Sequence, residues 1–335
     1  MTPMHDLDQE RVAREIKERN ATRVLLQLPD GLRPTAFTLA QRLTEQTGAE
    51  IIISGDSCYG ACDLALTQAQ TIDADLIVHY GHSPMIESET PVLYVEAAYD
   101  FDAPALTEKA LPLIRDWDGV GLTTTIQHIH RLQEVADTLQ AHGLRTAIGT
   151  GATTHPGQIL GCDYTAARAI AEDVEGYLHI GAGRFHPLGL AATTGKPIAT
   201  ANPYTMEAKL LPEKEVIRLA MKRMAAINAA KNAQTWGILV STKPGQRHIP
   251  QARRLQRLLT EHGRHATIIL LDEITPHTLA NFTEPQAYVD TACPRIALDN
   301  PPDPTRPTLT PNETLITLNQ KTWETTWAQG YLETD

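Results

Sequence analysis

The chain has 335 residues, 42% of them hydrophobic and 21% charged, and its 29 basic against 40 acidic side chains give a net charge of −11. This composition is globular rather than disordered, and the acidic balance argues against a general basic face for nucleic acid or anionic membranes. The length predicts two or three domains at about 150 residues each, and apolar runs such as Ile268–Leu271 fall far short of the roughly 20 residues a membrane span needs.

The N-terminal stretch Met1–Asn20 is charged and lacks the apolar segment of a leader, so a soluble, cytoplasmic protein is expected. From there the chain shows a repeated unit. Val24–Leu28 reads as a buried strand, Pro29-Asp30-Gly31 as a turn, and Pro34 suits a first helical position. Ala36, Leu39, Ala40 and Leu43 follow helical spacing, Gly48 stops the helix, and Ile51–Ile53, Leu76–Tyr80 and Val92–Val95 supply further strands. The unit recurs with a strand at Val120–Leu122 and a helix face of Ile126, Ile129, Leu132, Val135 and Leu139. Gly143 is its stop, followed by strands at Thr146–Ile148, Tyr177–Ile180 and Pro197–Ala199. A helix carrying Val216, Ile217, Leu219, Ala220, Met224 and Ile227 is expected to bridge to the third copy. That copy has a strand at Trp236–Val240, a helix face of Ile249, Ala252, Leu255 and Leu258, a stop at Gly263, and strands at Thr267–Leu271 and Ala287–Asp290. Six prolines between Pro294 and Pro311 predict a looped or extended tail wrapping over the domains.

Short apolar strands alternating with amphipathic helices imply parallel sheets covered on both faces. The expected fold is α/β: three similar small parallel-sheet domains, at 1–105, 106–212 and 213–335. One large doubly wound sheet is the alternative.

Four cysteines, Cys58, Cys62, Cys162 and Cys293, are too few for a disulfide scaffold. Each follows a strand of its unit, on the side where parallel sheets place ligands. Three converging thiolates would suit an iron–sulfur cluster or zinc. Cys58-x₃-Cys62 is one zinc-like pair but has no second pair to complete it. Three ligands on a 4Fe–4S cube would leave one iron open to a substrate. Spacing alone does not choose between iron and zinc, and any one of these cysteines reads equally well as a small buried hydrophobe.

The residues around the cysteines carry more information. Gly55-Asp56-Ser57-Cys58-Tyr59-Gly60-Ala61-Cys62-Asp63 resembles the signature of archaeal diphthamide synthase, which transfers a 3-amino-3-carboxypropyl group to a histidine. The resemblance continues, in order and nearly end to end, through Val78–Ser83, Leu160-Gly161-Cys162, Phe185–Leu190, Ser241–Arg247, Ala292–Ala297 and Leu309–Glu313. It implies three similar α/β domains in a homodimer, arranged with pseudo-threefold symmetry around a central 4Fe–4S cluster held by Cys62, Cys162 and Cys293. Cys58 is then surplus, a near neighbour of the cluster, although its spacing from Cys62 leaves the assignment open.

The implied reaction is a transferase step on a histidine of translation elongation factor 2, with S-adenosylmethionine as donor and methylthioadenosine as product. The new bond is at imidazole C2, a poor nucleophile, so the resemblance implies a radical route fed by an electron donor. The loop C-x₃-C-x₂-C of the usual radical enzymes of this cofactor is lacking, because Cys62 is followed by Asp63-Leu64-Ala65. No catalytic residue is expected beyond the cluster. Asp56, Tyr59, Gly60, His82, Gln246, Arg247 and Arg295 are candidates to line the cofactor site. Gly245-Gln246-Arg247 is read as a helix start able to hold an anion. Two other readings remain: a dehydrating and condensing iron–sulfur enzyme similar to quinolinate synthase, and a non-enzymatic partner subunit.

Overall fold

The computed structural model describes residues 5–299 and 301–328. Its first sheet is built from β1 (Arg23–Gln27), β2 (Glu50–Ile53), β3 (Leu76–Tyr80) and β4 (Val92–Val95), all parallel, in the order β2-β1-β3-β4. The second contains β5 (Val120–Thr124), β6 (Thr146–Ala147), β7 (Gly176–Ile180), β8 (Ile198–Asn202) and β9 (Glu207–Leu210), in the order β6-β5-β7-β8-β9. The third contains β10 (Thr235–Ser241), β11 (His265–Leu271), β12 (Ala287–Asp290) and β13 (Thr308–Leu309), parallel, in the order β11-β10-β12-β13. The same second-first-third-fourth strand order thus occurs three times, and the single doubly wound sheet is excluded.

The central strands β3, β5 and β7 are buried along their whole length, which is why they read as continuous apolar runs with no alternation. In each unit a helix returns from the first strand to the second: Ala36–Thr47, Leu132–Ala141 and Ile249–Glu261. The glycines expected to stop these helices, Gly48, Gly143 and Gly263, have φ of 74°, 81° and 73°. That left-handed region carries little penalty only without a Cβ.

Four features depart from the sequence reading. Strand β9, not foreseen, adds an antiparallel edge to the second sheet against β8. Helix Ala103–Ile114 runs through the expected 105/106 division and packs on β8 and β9, its Ala103, Leu106, Ala110 and Ile114 joining the second core. The proline-rich tail does not simply wrap over the surface: within it β13 closes the third sheet, and helix Pro311–Thr317 follows. That helix starts at Thr310 with a capping box whose Glu313 also reaches Arg223. The bridging helix, Glu213–Ala230, touches both the second-unit helix Phe185–Thr194 and the third unit, as expected. Its anchor, however, is a charge: Arg223 is buried and bonds Glu313 at 2.6 and 2.8 Å and the carbonyls of Ala297 and Thr308. Ile217 and Met224, two of the apolar residues that marked the helix, are exposed. No helix among the described residues is long and apolar enough to cross a membrane.

Candidate metal centre

The three strands that follow the crossover helices or their loops share one register. Gln27 pairs with His79 on β3, Thr123 with His179 on β7, and Leu239 with Asp290 on β12. Each unit therefore buries a titratable side chain at the same point near the carboxyl end of its third strand. Cys62 and Cys162 lie in the loops between the second and third strands, whereas Cys293 lies just after β12.

The third unit closes directly on Cys62. The Gly245 amide donates to the Cys62 carbonyl at 2.7 Å, and Gln246 Nε2 donates to Cys62 Sγ at 3.4 Å. A Cβ on Gly245 would lie 2.6 Å from the Cα of Cys62, so only glycine permits this approach. The second unit closes on Cys293 through Arg295. Its guanidinium carbon lies 3.1 Å from the ring centre of Phe185, and that ring fills the space a Cβ on Gly161 would need. Arg295 also pairs with Asp299 at 2.6 Å.

The electrostatics tie the three thiols together. Burial pushes Cys162 up to about 11 and Cys293 up to about 12, and raises Cys62 as well. Cys162 is raised further by Cys62, and Cys293 by both Cys162 and Cys62. Burial likewise raises Asp290 to about 7, even though its Oδ1 accepts from the amides of Ala292 and Cys293. Three desolvated thiols that would repel one another as thiolates stay protonated when alone, and a cationic group among them would favour the thiolates. Beside them Arg295 Nε, Tyr164 Oη and Asp290 Oδ2 are buried without a hydrogen-bond partner among the described residues. Such atoms are rare in folded proteins and point to a group that completes the site. The donor set, three sulfurs from three units, fits an iron–sulfur cluster with one open iron.

The structure sorts the other sequence candidates. Gly60 lies against Cys62, a Cβ there falling 3.3 Å from Sγ, and Gln246 and Arg295 face the cysteines as described. His82 does not turn toward all three cysteines; its Nδ1 lies 3.0 Å from His79 Nε2, and these two rings gather with Cys58. Asp56 is exposed and bonded to Gln68 and Arg33. Tyr59 is largely exposed, its hydroxyl 3.3 Å from Glu273. Arg247 donates to the Thr242 carbonyl at 3.1 Å. Asp56 and Arg247 instead line an open cleft of about 360 Å³ between the first and third units, with Gln27, Asp63 and Lys243. The helix-start anion site at Gly245–Arg247 is not formed. The helix begins at Ile249, and the Gly245 and Gln246 amides are spent on Cys62 and Lys243.

Sequence reasoning missed the clamp beneath this junction. Lys243 is buried, with Nζ 3.0 Å from both Asp63 and Glu273. Burial would lower its pKa, but the two carboxylates outweigh that and raise it. Ser57 adds a 2.6 Å bond to Glu273. Lys243 and Asp63 stood within the motifs but carried no role there, and Glu273 gave no signal.

Residues 28–328 match the family model described as putative diphthamide synthesis protein. The 2-(3-amino-3-carboxypropyl)histidine synthase of Pyrococcus horikoshii is 38% identical over 94% of this chain and 91% of its own length. Subunit 1 of the human synthase is 32% identical over 92% of this chain and 71% of its own. A crystal structure of Dph2 from Pyrococcus horikoshii with a 4Fe-4S cluster superposes with a TM-score of 0.87, covering 95% of this chain and 92% of that one at 36% identity. The fold, the three half-buried cysteines and these similarities agree: the chain belongs to the diphthamide synthesis family.

Proposed function

We propose that this chain is a 3-amino-3-carboxypropyl transferase that uses S-adenosylmethionine to modify a histidine of translation elongation factor 2. The observation that carries this reading is the meeting of Cys62, Cys162 and Cys293, one from each unit, in a member of that family. These three side chains would hold a 4Fe–4S cluster, which when bound supplies one electron to the sulfonium of S-adenosylmethionine.

The chain's own residues do the rest. Arg295, held flat by Phe185 and Asp299, offers its unpartnered Nε to the carboxylate of the methionyl moiety. Gln246 holds Cys62 Sγ by a hydrogen bond, which stabilises a thiolate there. Phe185 and Tyr164 keep water from the junction. In the net reaction a carbon–sulfur bond of S-adenosylmethionine breaks, the carbon–carbon bond to imidazole C2 forms, the C2 proton leaves together with the electron first supplied, so that none is consumed, and methylthioadenosine is released. Which carbon is transferred follows from which one is held at the cysteines, a matter of positioning.

We further infer that Cys62 rather than Cys58 is the first unit's ligand, and that the enzyme works in the cytoplasm as a homodimer with an external electron donor. Anaerobic reconstitution with iron and sulfide tests the function. A brown protein that releases methylthioadenosine from S-adenosylmethionine only when reduced, and adds the group to elongation factor 2, supports it. A colourless zinc protein, or one that makes quinolinate instead, overturns it.

A further inference from the structure

The surplus cysteine is not isolated. Cys58 is 6% exposed and His79 0%, and their donor atoms gather with one from His82 so that all three lie within 4.8 Å of one another. The orientation of His79 is imposed by Gln27. The Gln27 amide cannot turn over, because its Nε2 donates to the Asp63 carbonyl at 2.6 Å and its Oε1 accepts from the Ala65 amide at 3.1 Å. His79 Nδ1, 2.9 Å from that same Oε1, must therefore carry the proton. This leaves Nε2 as a lone pair, aimed at His82 Nδ1 from 3.0 Å. An imidazole whose far nitrogen is fixed by a carbonyl is the arrangement that metal-bound histidines show.

A further observation points the same way. His82 also stands three residues after His79, the offset at which Cys293 follows the register-equivalent Asp290. The first unit thus presents a donor where the third presents a sulfur of the cluster site.

We propose that Cys58, His79 and His82 form a second metal site, distinct from the three-cysteine centre, which binds one zinc ion through Sγ, Nε2 and Nδ1. One thiolate and two neutral imidazoles suit zinc, and they disfavour magnesium and calcium, which seek oxygen. Three protein donors leave the fourth position to a solvent molecule. On binding, the Cys58 thiol proton is released and the His82 proton moves from Nδ1 to Nε2, so one proton leaves per zinc. The ion ties the loop carrying Cys62 to the end of β3, four residues from a cysteine of the cluster centre.

The site is tested on the cluster-loaded protein, so that Cys62, Cys162 and Cys293 are not free to take up zinc. The protein is supplied with zinc chloride, gel-filtered, and analysed for zinc and iron together. About one zinc per chain is expected, with X-ray absorption showing one sulfur at about 2.3 Å and nitrogens at about 2.0–2.1 Å. Cys58→Ser and His82→Gln should each lower zinc retention at least tenfold while iron is kept. Absence of zinc from the loaded protein, retention of zinc by both variants, or an ion with nitrogen and oxygen neighbours only overturns the site. Loss of iron from Cys58→Ser also overturns it, because Cys58 would then belong to the cluster. Neither count depends on turnover, so the proposed transfer reaction can fail while this site stands.

Discussion

The four cysteines separate by the company they keep, Cys58 being the one that is buried. Cys162 feels the charge of Cys62, and Cys293 that of both, whereas Cys58, though near Cys62, gathers with two imidazoles. Alanine at Cys62, Cys162 or Cys293 should therefore leave the reconstituted protein with little iron and no turnover, and alanine at Cys58 should keep a cluster. Iron and sulfide assays with the absorbance near 400 nm decide it, and a Cys62→Ala protein that keeps its cluster would reverse the assignment. The motifs alone already pointed to Cys62, Cys162 and Cys293, because each sits in a distinctive run of neighbours. Glu273 was invisible by comparison. A solvent-side carboxylate in a loop is ordinary until Lys243, thirty residues earlier, is found buried against it.

At the scale of elements, the strands and crossover helices were readable because apolar period and glycine stops are local properties. Strand β13 and helix Pro311–Thr317 were not. Two strand residues among prolines give no period, and their pairing with β12 is a tertiary fact. Arg223 was hidden for the same reason, since a charge inside an amphipathic pattern reads as solvated until Glu313 covers it. The contact between the third unit's loop and Cys62 gives the sharpest element-level test. Gly245→Ala would push a Cβ within 2.6–2.9 Å of Cys62 backbone and side-chain atoms, none of them the end of a flexible chain. The loop must move, at about 1–3 kcal/mol. The expected result is lower iron occupancy after reconstitution together with a lower melting temperature. Gly263→Ala, a helix-stop substitution remote from the cysteines, controls for general destabilisation, because it should lower the melting temperature alone.

For the whole molecule, burial has left histidines neutral at the unit junctions. Burial lowers His79 to about 3, and His82, His128 and His186 to about 4, from the usual 6.5. A lowered imidazole contributes stability that is complete above pH 6.5 and is lost as pH falls toward the folded value, because only the unfolded chain takes up the proton. At pH 5 each costs about 2 kcal/mol. Asp290 runs the other way. Raised from 3.8 to about 7, it favours the folded state as pH falls through that window, by about 2 kcal/mol between pH 7 and 5. Even with His79 and His82 counted as one proton, three imidazoles outweigh one carboxyl. The denaturant midpoint, measured at constant salt, should therefore drop between pH 7 and pH 5; an unchanged or higher midpoint at pH 5 would show that these histidines are hydrated.

The seal over Cys62 also sets a timetable. Gln246 lies 184 residues after the cysteine it covers, so at roughly 5–20 residues per second the ribosome takes on the order of ten to forty seconds to supply the cover. Throughout that interval the first unit can fold with its sulfur open to the surrounding solution. Oxidants and stray metals have access to it before its proper occupant can be enclosed. Maturation of this protein is therefore a race between translation and chemistry at a single thiol, and slow synthesis in an oxidising cell should yield a larger fraction of full-length but iron-free chains.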